Sequence, residues 1–473
     1  MSINIAKANP FEGKPVINMP SVYSASTGKG IFYRIPVTGK RPLKISVEGL
    51  KEGLCLENNL ISGKIDEDCE FEIRIFAENE LGKAEKNVIF KIFKDAMIIT
   101  PLLGFCSWNA FGSKVTQKDI ENTAKLIDET GIAEYGYNYI NLDSGWQKEY
   151  GGEFEAVMPN EKFPDMGKMY EYIHSFGFKG GIYSTPMLTA WGCPEELESI
   201  PGCTKGEPEI WWSSRNGGIG KERYEANNAR QWEKWGIDYL KYDWAPTDPY
   251  NAHMMKRELL KLNREIAFCV TVWAHNDYSN YWTKNCTSWR ANLDSESSWG
   301  NLKDRYNTVK IWKQYLLPGH FYDLDMLEIG SMVWNEGEKN PLTEDEMLFS
   351  YTLRAFFMSP VQLSCHIDKL TDFEFDMICN EEIIGINQDG LFDYPELVSE
   401  DNQARVYKRK LENGDYAIAV FNGNDDEFKC NIQLDEDVIV RDVWRKTDME
   451  CMNVIDVTLQ PHSVRVFRCR KTL

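Results

Sequence analysis

The sequence predicts a multidomain protein: a (β/α)8 barrel between a small N-terminal β-sandwich and a C-terminal antiparallel β-sandwich. Its 473 residues exceed what one ordinary hydrophobic core organises, so two or three domains are expected. Both ends of the chain alternate apolar and polar residues with the period of two that marks half-buried strands. Between them, short apolar runs recur with helical stretches in the gaps. About eight such units in fewer than 300 residues fit a barrel of eight parallel strands. The boundaries are expected at 1–97, 98–389 and 390–473.

In chain order, the N-terminal region carries "IFYRIPV", "LKISVEG", "FEIRIFAEN" and "NVIFKIF", separated by turn signals such as "TGKRP" and "ENELGK". No acid–base constellation stands out there. The barrel strands are expected at "LLGFCSW", "YNYINLD", "KGGIYS", "DYLKYD", "AFCVTVW", "SWRANLD", "HFYDLDM" and "PVQLSC". Helical periodicity follows in "TQKDIENTAKLIDETGI" and "DMGKMYEYIHSFGF", each ending near a glycine. A doubly wound sheet is the alternative, but no glycine-rich phosphate fingerprint follows an early strand. After "GINQDG" short strands return in "ARVYKRK", "YAIAVFN" and "SVRVFRC".

A formal net charge of −20 argues against a nucleic-acid or anionic-membrane partner. No apolar run approaches the length of a membrane span, and the start "MSINIAKANPFEGKPV" lacks the apolar core of a signal peptide. The expectation is a cytoplasmic chain as given, or a secreted one if a leader has been removed. Twelve cysteines without CxxC pairs argue against a zinc site. Cys193 and Cys203 lie close enough in one loop to bridge in an oxidising compartment. The 15 Trp and 22 Tyr fill cores, but their flat faces also stack on sugar rings, which adds some weight to a carbohydrate site.

Several predicted strands end in a carboxylate: Asp143, Asp243, Asp294, and Asp323 with Asp325. On a barrel these ends converge on the C-terminal face, where active sites sit. Any one of them is as readily a helix cap or half of an ion pair. As a set they call for another reason, because like charges on one face repel. A divalent-metal hydrolase would want histidines or several converging carboxylates as ligands, and the six histidines here include no HxH or HxxxH pair. Glycoside hydrolysis needs two carboxyl groups, one ionised and one protonated, flanking the scissile bond. Asp243 suits the ionised role, since Lys241 projects to the same face two residues away. Asp294 has Arg290 four residues before it and Glu296 beside it, so a nearby negative charge would help it keep its proton while Arg290 pulls the other way.

Seven segments, "LLGFCSWNAFG", "YINLDSGWQ", "PNEKFPDMGKMYEYIHSFGFKGGIYS", "WGIDYLKYDW", "SWRANLDSESSW", "FYDLDML" and "EEIIGINQD", stand in order over 101–389. Together they resemble the α-galactosidase family, glycoside hydrolase family 27. The stretch "GKGIFYRIPVTGKRPLKISVEGL" resembles the immunoglobulin-like module found ahead of some bacterial members. The resemblance implies a barrel, a C-terminal antiparallel β domain, and retention of anomeric configuration without a metal or organic cofactor. It implies that Asp243 is the nucleophile and Asp294 the general acid/base. Retaining pairs lie about 5–5.5 Å apart. Asp143, Tyr183, Lys241, Arg290, Asp325 and Met326 match residues that line the sugar site in relatives, and Trp146 and Trp244 are candidate walls.

The chain departs from the family pattern in three places. Phe105 stands where a tryptophan is usual, Ser144 replaces the second of two consecutive aspartates, and Trp273 falls near a polar position of strand five. The reaction expected is therefore release of terminal α-linked galactose, with β-L-arabinopyranoside, α-N-acetylgalactosaminide or a modified galactoside as alternatives. A non-catalytic carbohydrate-binding barrel and a transglycosylase are the competing classes, and homo-oligomerisation stays open. The Trp- and Gly-rich loop 187–222 is expected to shape the pocket rim.

Overall fold

The computed structural model describes residues 4–471, apart from 95, 97, 187–188, 191–205, 212–213, 219–222, 244–247, 273–277, 291, 334 and 336–339, and apart from the side chains of 149, 189–190, 206–211 and 214–218. Eight short parallel strands form one sheet: β1 (Leu103–Cys106), β2 (Tyr139–Leu142), β3 (Lys179–Ser184), β4 (Tyr239–Tyr242), β5 (Ala267–Thr271), β6 (Ser288–Arg290), β7 (Phe321–Tyr322) and β8 (Val361–Leu363). They are ordered as in the chain, and β8 returns to pair with β1. A bridge from Leu327, just beyond β7, to Leu363 of β8 draws the remaining edges together. The sheet is the TIM barrel predicted from the eight apolar runs.

The strands are buried on both faces, which is why they read as near-continuous apolar runs rather than alternations. Inside the barrel space is tight. A Cβ on Gly181 of β3 would lie 2.0 Å from Asn141 Oδ1 and 2.7 Å from the Tyr239 ring, so the glycine makes room for its neighbours on β2 and β4.

The crossovers are helical: α1 (Gln117–Glu129), α2 (Met166–Ser175), α3 (Glu225–Trp235), α4 (Pro249–Leu259), α5 (Ser279–Asn285), α6 (Trp299–Trp312) and α7 (Glu344–Phe356), with α8 (Asp372–Ile378) and α9 (Glu381–Asn387) after β8. Thr116 with Asp119 and Thr343 with Glu346 close capping boxes at the starts of α1 and α7. Ile120, Thr123, Ala124 and Ile127 form the buried stripe that presses α1 onto the sheet. No described helix is long and apolar enough to cross a membrane.

The N-terminal region is strand-rich, as expected. A four-stranded sheet contains Val22–Ser26, Gly82–Phe93, Cys69–Asn79 and Lys44–Glu48; a three-stranded sheet contains Gly30–Arg34, Leu60–Lys64 and Leu54–Glu57. Ile31, Ile61, Ile73, Ile75, Val88 and Phe90 belong to a core of its own. Arg34 fastens this region to the barrel, pairing with Asp128 at 2.7 Å and Glu134 at 2.8 Å.

The C-terminal residues form a six-stranded antiparallel sheet. Its strand Tyr416–Asn422 is buried at every position. Ala417, Ala419 and Phe421 join the barrel's core, while Ile418 and Val420 join a separate one, as a period of two requires for a strand covered on both faces. Tyr306 of α6, Phe349 of α7 and Phe421 meet with ring centroids 4.9–5.5 Å apart.

Candidate active site

At the C-terminal ends of the strands a cavity of about 670 Å³ opens, and it gathers residues that lie far apart in sequence. Asp143 follows β2, Tyr183 lies on β3, Lys241 lies on β4 with Asp243 just beyond it, and Arg290 ends β6. Each borders the cavity, together with Ser144, Asp294 and Met326. Period two puts Lys241 and Asp243 on the same side of their strand. Register sets Tyr183 beside Lys241 and Thr271 beside Arg290.

Two ionic clusters organise this surface. In the first, Asp143 Oδ2 accepts from Lys241 Nζ at 2.7 Å and from Cys106 Sγ at 3.1 Å, while Oδ1 accepts from the backbone N–H of Ser144 at 2.7 Å. Burial opposes the Lys241 charge, but Asp143, Cys106, Asp243 and Asp325 outweigh it and hold the ammonium well above its ordinary range. In the second, Arg290 reaches Asp325 Oδ2 through Nη1 at 2.6 Å and Asp294 Oδ1 through Nη2 at 2.7 Å. Asp325 also accepts from the Ser295 N–H at 2.8 Å. Burial works against the Asp325 charge, yet Arg290, Lys241 and Arg305 keep its carboxyl well below the usual carboxylate range.

The environments of Asp243 and Asp294 differ. Burial raises the Asp243 carboxyl above its ordinary value, against the pull of Lys241 and Arg290, with Asp294 and Asp143 adding to the rise. Asp294 is 57% exposed. One expectation is corrected here. Lys241 does favour the charged form of Asp243, but its ion pair is with Asp143 and burial outweighs its effect. Of the two opposing neighbours expected at Asp294, it is the Arg290 guanidinium that lies at hydrogen-bonding distance.

Phe105 is also corrected. It is fully buried, its ring meets Phe111 edge-on at 6.3 Å, and it does not border the cavity. Adjacent residues on a barrel strand face opposite ways, and on β1 it is Cys106 that meets Asp143. The wall at this strand end comes instead from Trp108 and Asn109, which "CSWN" contains but which carried no assigned role. Asp325 sits behind Arg290 rather than on the cavity wall. Trp146 is core: it is fully buried and donates from Nε1 to the Tyr183 carbonyl at 3.0 Å. Trp273, Trp244, Cys193 and Cys203 lie outside the described residues, as does most of the loop 187–222. Met332 and Asn335, from the connection between β7 and α7, also border the cavity. Nothing in their local sequence pattern pointed to that, because only the chain's path after β7 brings them over the site.

A parallel barrel with carboxyls on one cavity at its C-terminal face suits glycoside hydrolysis, and similarity to known proteins makes this chain a glycosidase. The profile described as alpha galactosidase A matches residues 214–389, and that of the alpha galactosidase C-terminal beta sandwich domain matches 401–469. An α-galactosidase A from Cellvibrio japonicus is 28% identical over 403 residues, 78% of this chain and 91% of the relative. A Bacteroides fragilis protein solved as a candidate α-galactosidase superposes with a TM-score of 0.85 at 26% identity, covering 98% of this chain and 99% of that one. α-Galactosidase I from Mortierella vinacea gives 0.67 at 25% identity, covering 78% and 97%. The chain belongs to the α-galactosidase family, glycoside hydrolase family 27.

Proposed function

We propose that the protein is a retaining exo-glycosidase that releases terminal α-linked galactose, with Asp243 as nucleophile and Asp294 as general acid/base. The observation that carries this reading is that both carboxyls border one cavity of about 670 Å³, the first half-buried and the second exposed. Asp243 attacks the anomeric carbon as Asp294 gives its proton to the leaving oxygen, and a glycosyl ester forms on Asp243. Asp294, now a carboxylate, takes a proton from water, which displaces Asp243 and restores both groups. Arg290 steadies Asp294 through the 2.7 Å contact, and the Lys241–Asp143 pair offers a cation and a carboxylate to sugar hydroxyls. The names of the α-galactosidase relatives support the glycone.

A second reading keeps this chemistry and changes the sugar to a β-L-arabinopyranoside, an α-N-acetylgalactosaminide or a modified galactoside. Ser144 favours it, because a hydroxyl borders the cavity where the family pattern has a carboxylate. Losing a charged partner removes a hydrogen bond of roughly 1.5–3 kcal/mol. The test is a panel of aryl glycosides spanning α-galactoside, α-N-acetylgalactosaminide, β-L-arabinopyranoside and α-glucoside, each run against Asp243→Asn. Turnover of one glycone that is lost in the variant supports the proposal. Turnover that survives the substitution rejects the nucleophile, and none on any glycone rejects the substrate class.

We read 1–97 as an immunoglobulin-like module, 98–389 as the catalytic barrel and 390–473 as a separate β domain. Support comes from the distinct N-terminal core and from the second core beneath the C-terminal sheet.

A further inference from the structure

Asp325 adopts a backbone conformation that L-residues rarely take, with φ +69°. A non-glycine residue persists there only when its surroundings over-determine it. The carbonyls around it are pinned by two buried arginines. Arg354 of α7 donates to the Leu324, Asp325 and Met326 carbonyls at 3.1, 3.3 and 2.9 Å, and Arg305 of α6 donates to the Leu324 carbonyl at 3.0 Å. The Asp325 N–H is held from the other side, donating to Asp323 Oδ1 at 2.8 Å. Asp323 faces a small void of about 20 Å³ inside the barrel, beneath the cavity, and does not border the cavity itself.

That backbone geometry aims the Asp325 carboxylate at two groups on the β6 side. Oδ2 accepts from Arg290 Nη1 at 2.6 Å and from the Ser295 N–H at 2.8 Å. Arg290 then contacts Asp294 Oδ1 at 2.7 Å, and Ser295 is the next residue after Asp294. An exposed side chain such as Asp294 has several rotamers open to it, and general-acid catalysis requires one of them. Resting on the acid/base role proposed above for Asp294, we infer that Asp323 is a positioning residue of the reaction: by fixing the Asp325 backbone it sets Arg290 and Ser295, and through them the orientation of Asp294.

This role predicts a loss that depends on the leaving group. A substrate whose leaving oxygen departs unaided needs little protonation, whereas an alkyl glycoside needs it fully. Wild type, Asp294→Asn, Asp323→Ala, Asp323→Ser and Asp323→Asn are compared on dinitrophenyl and methyl α-galactoside, or on the same pair carrying whichever glycone the panel selects. Asp323→Ala and Asp323→Ser are expected to lose at least tenfold more kcat/KM on the methyl than on the dinitrophenyl substrate, mainly in kcat. Asp323→Asn, whose amide oxygen still accepts from the Asp325 N–H, is expected to keep the two within about threefold of wild type. Thermal unfolding identifies any variant that fails to fold, and Ser then stands in for Ala. If Asp294→Asn itself shows no leaving-group dependence, the acid/base assignment falls. If Asp294→Asn shows it but the Ala and Ser variants lose both substrates equally, or neither, the positioning role falls and the acid/base assignment stands. An Asn variant as selective as Ala would also overturn the relay, because the hydrogen bond would then not be what matters.

Discussion

Lys241 Nζ lies 2.7 Å from Asp143 Oδ2, joining β4 to the end of β2 across the face of β3, and only 14% of the lysine and 3% of the aspartate side chain is exposed. Removing one partner of a buried pair leaves the other charge uncompensated, at about 3–5 kcal/mol. Lys241→Met is expected to lower stability by that order in urea titrations and to cut kcat/KM at least a hundredfold. A variant as stable and as active as wild type would show that the pair matters to neither.

The acid limb of activity reports on Asp243 under the proposed mechanism. The nucleophile must be ionised, and burial raises its carboxyl against the pull of Lys241 and Arg290. Activity should therefore be lost, as pH falls, at a value above the roughly 3.9 of a free aspartate. Lys241→Met, which removes one of the lowering charges, should shift that limb further upward. The profile of kcat/KM against pH measures both, and a limb at or below the free-aspartate value would contradict the assignment.

Ser144 is 1% exposed at the cavity wall, and its N–H is spent on Asp143 Oδ1. Ser144→Asp is expected to change the ratio of kcat/KM between two glycones by tenfold or more while the better substrate is still turned over. The same aryl glycoside panel reads this out. An unchanged ratio would mean that this position does not select the sugar.

Asp323 links stability to pH. Burial, with Asp325 adding to it, raises its carboxyl to about 6, against the Asp325 N–H and the Arg290 and Lys241 charges. Between about pH 4 and 6 the unfolded chain gives up this proton while the folded protein keeps it. The stability contributed by the neutral acid is thus full below the ordinary aspartate value and lost as pH rises through about 6. The loss is on the order of 2–3 kcal/mol. Asp323→Asn should flatten this slope, seen as urea midpoints at pH 4.5 and 7.5 that lie closer together than in wild type.

Arg34 carries the attachment of the N-terminal strands. Besides its pairs with Asp128 and Glu134 it donates to the Phe176 carbonyl at 2.7 Å and lies over the Phe178 ring at 5.1 Å. Arg34→Ala leaves Glu134 buried with Arg41, at 3.0 Å, as its one remaining cationic partner among the described residues. We expect faster proteolysis within residues 1–97 and a melting temperature lowered by several degrees, with kcat/KM little changed because the barrel's cavity is untouched.

The eight barrel strands were legible because each is a short apolar run ending in a polar or acidic residue, and the parallel order followed from the helical segments between them. Asp143, Lys241, Asp243, Arg290 and Asp294 were legible for the same reason: strand ends of a barrel meet on one face. Phe105 misled because a motif position does not reveal which side of its strand faces inward; Cys106 and the segment beyond it hold that face. Met332 and Asn335 were illegible because loop residues carry no periodicity.

By itself, then, the sequence determined the strand-rich ends, the barrel between them and the set of charged residues at its mouth, since periodicity and composition are local properties that survive without coordinates. Which charge answers which is a matter of angstroms between strands that the chain's order does not encode. Tertiary structure alone decided that Lys241 pairs with Asp143 and that Asp325 stands behind Arg290. Electrostatic energies depend on separation and burial, and both are set only when the barrel closes.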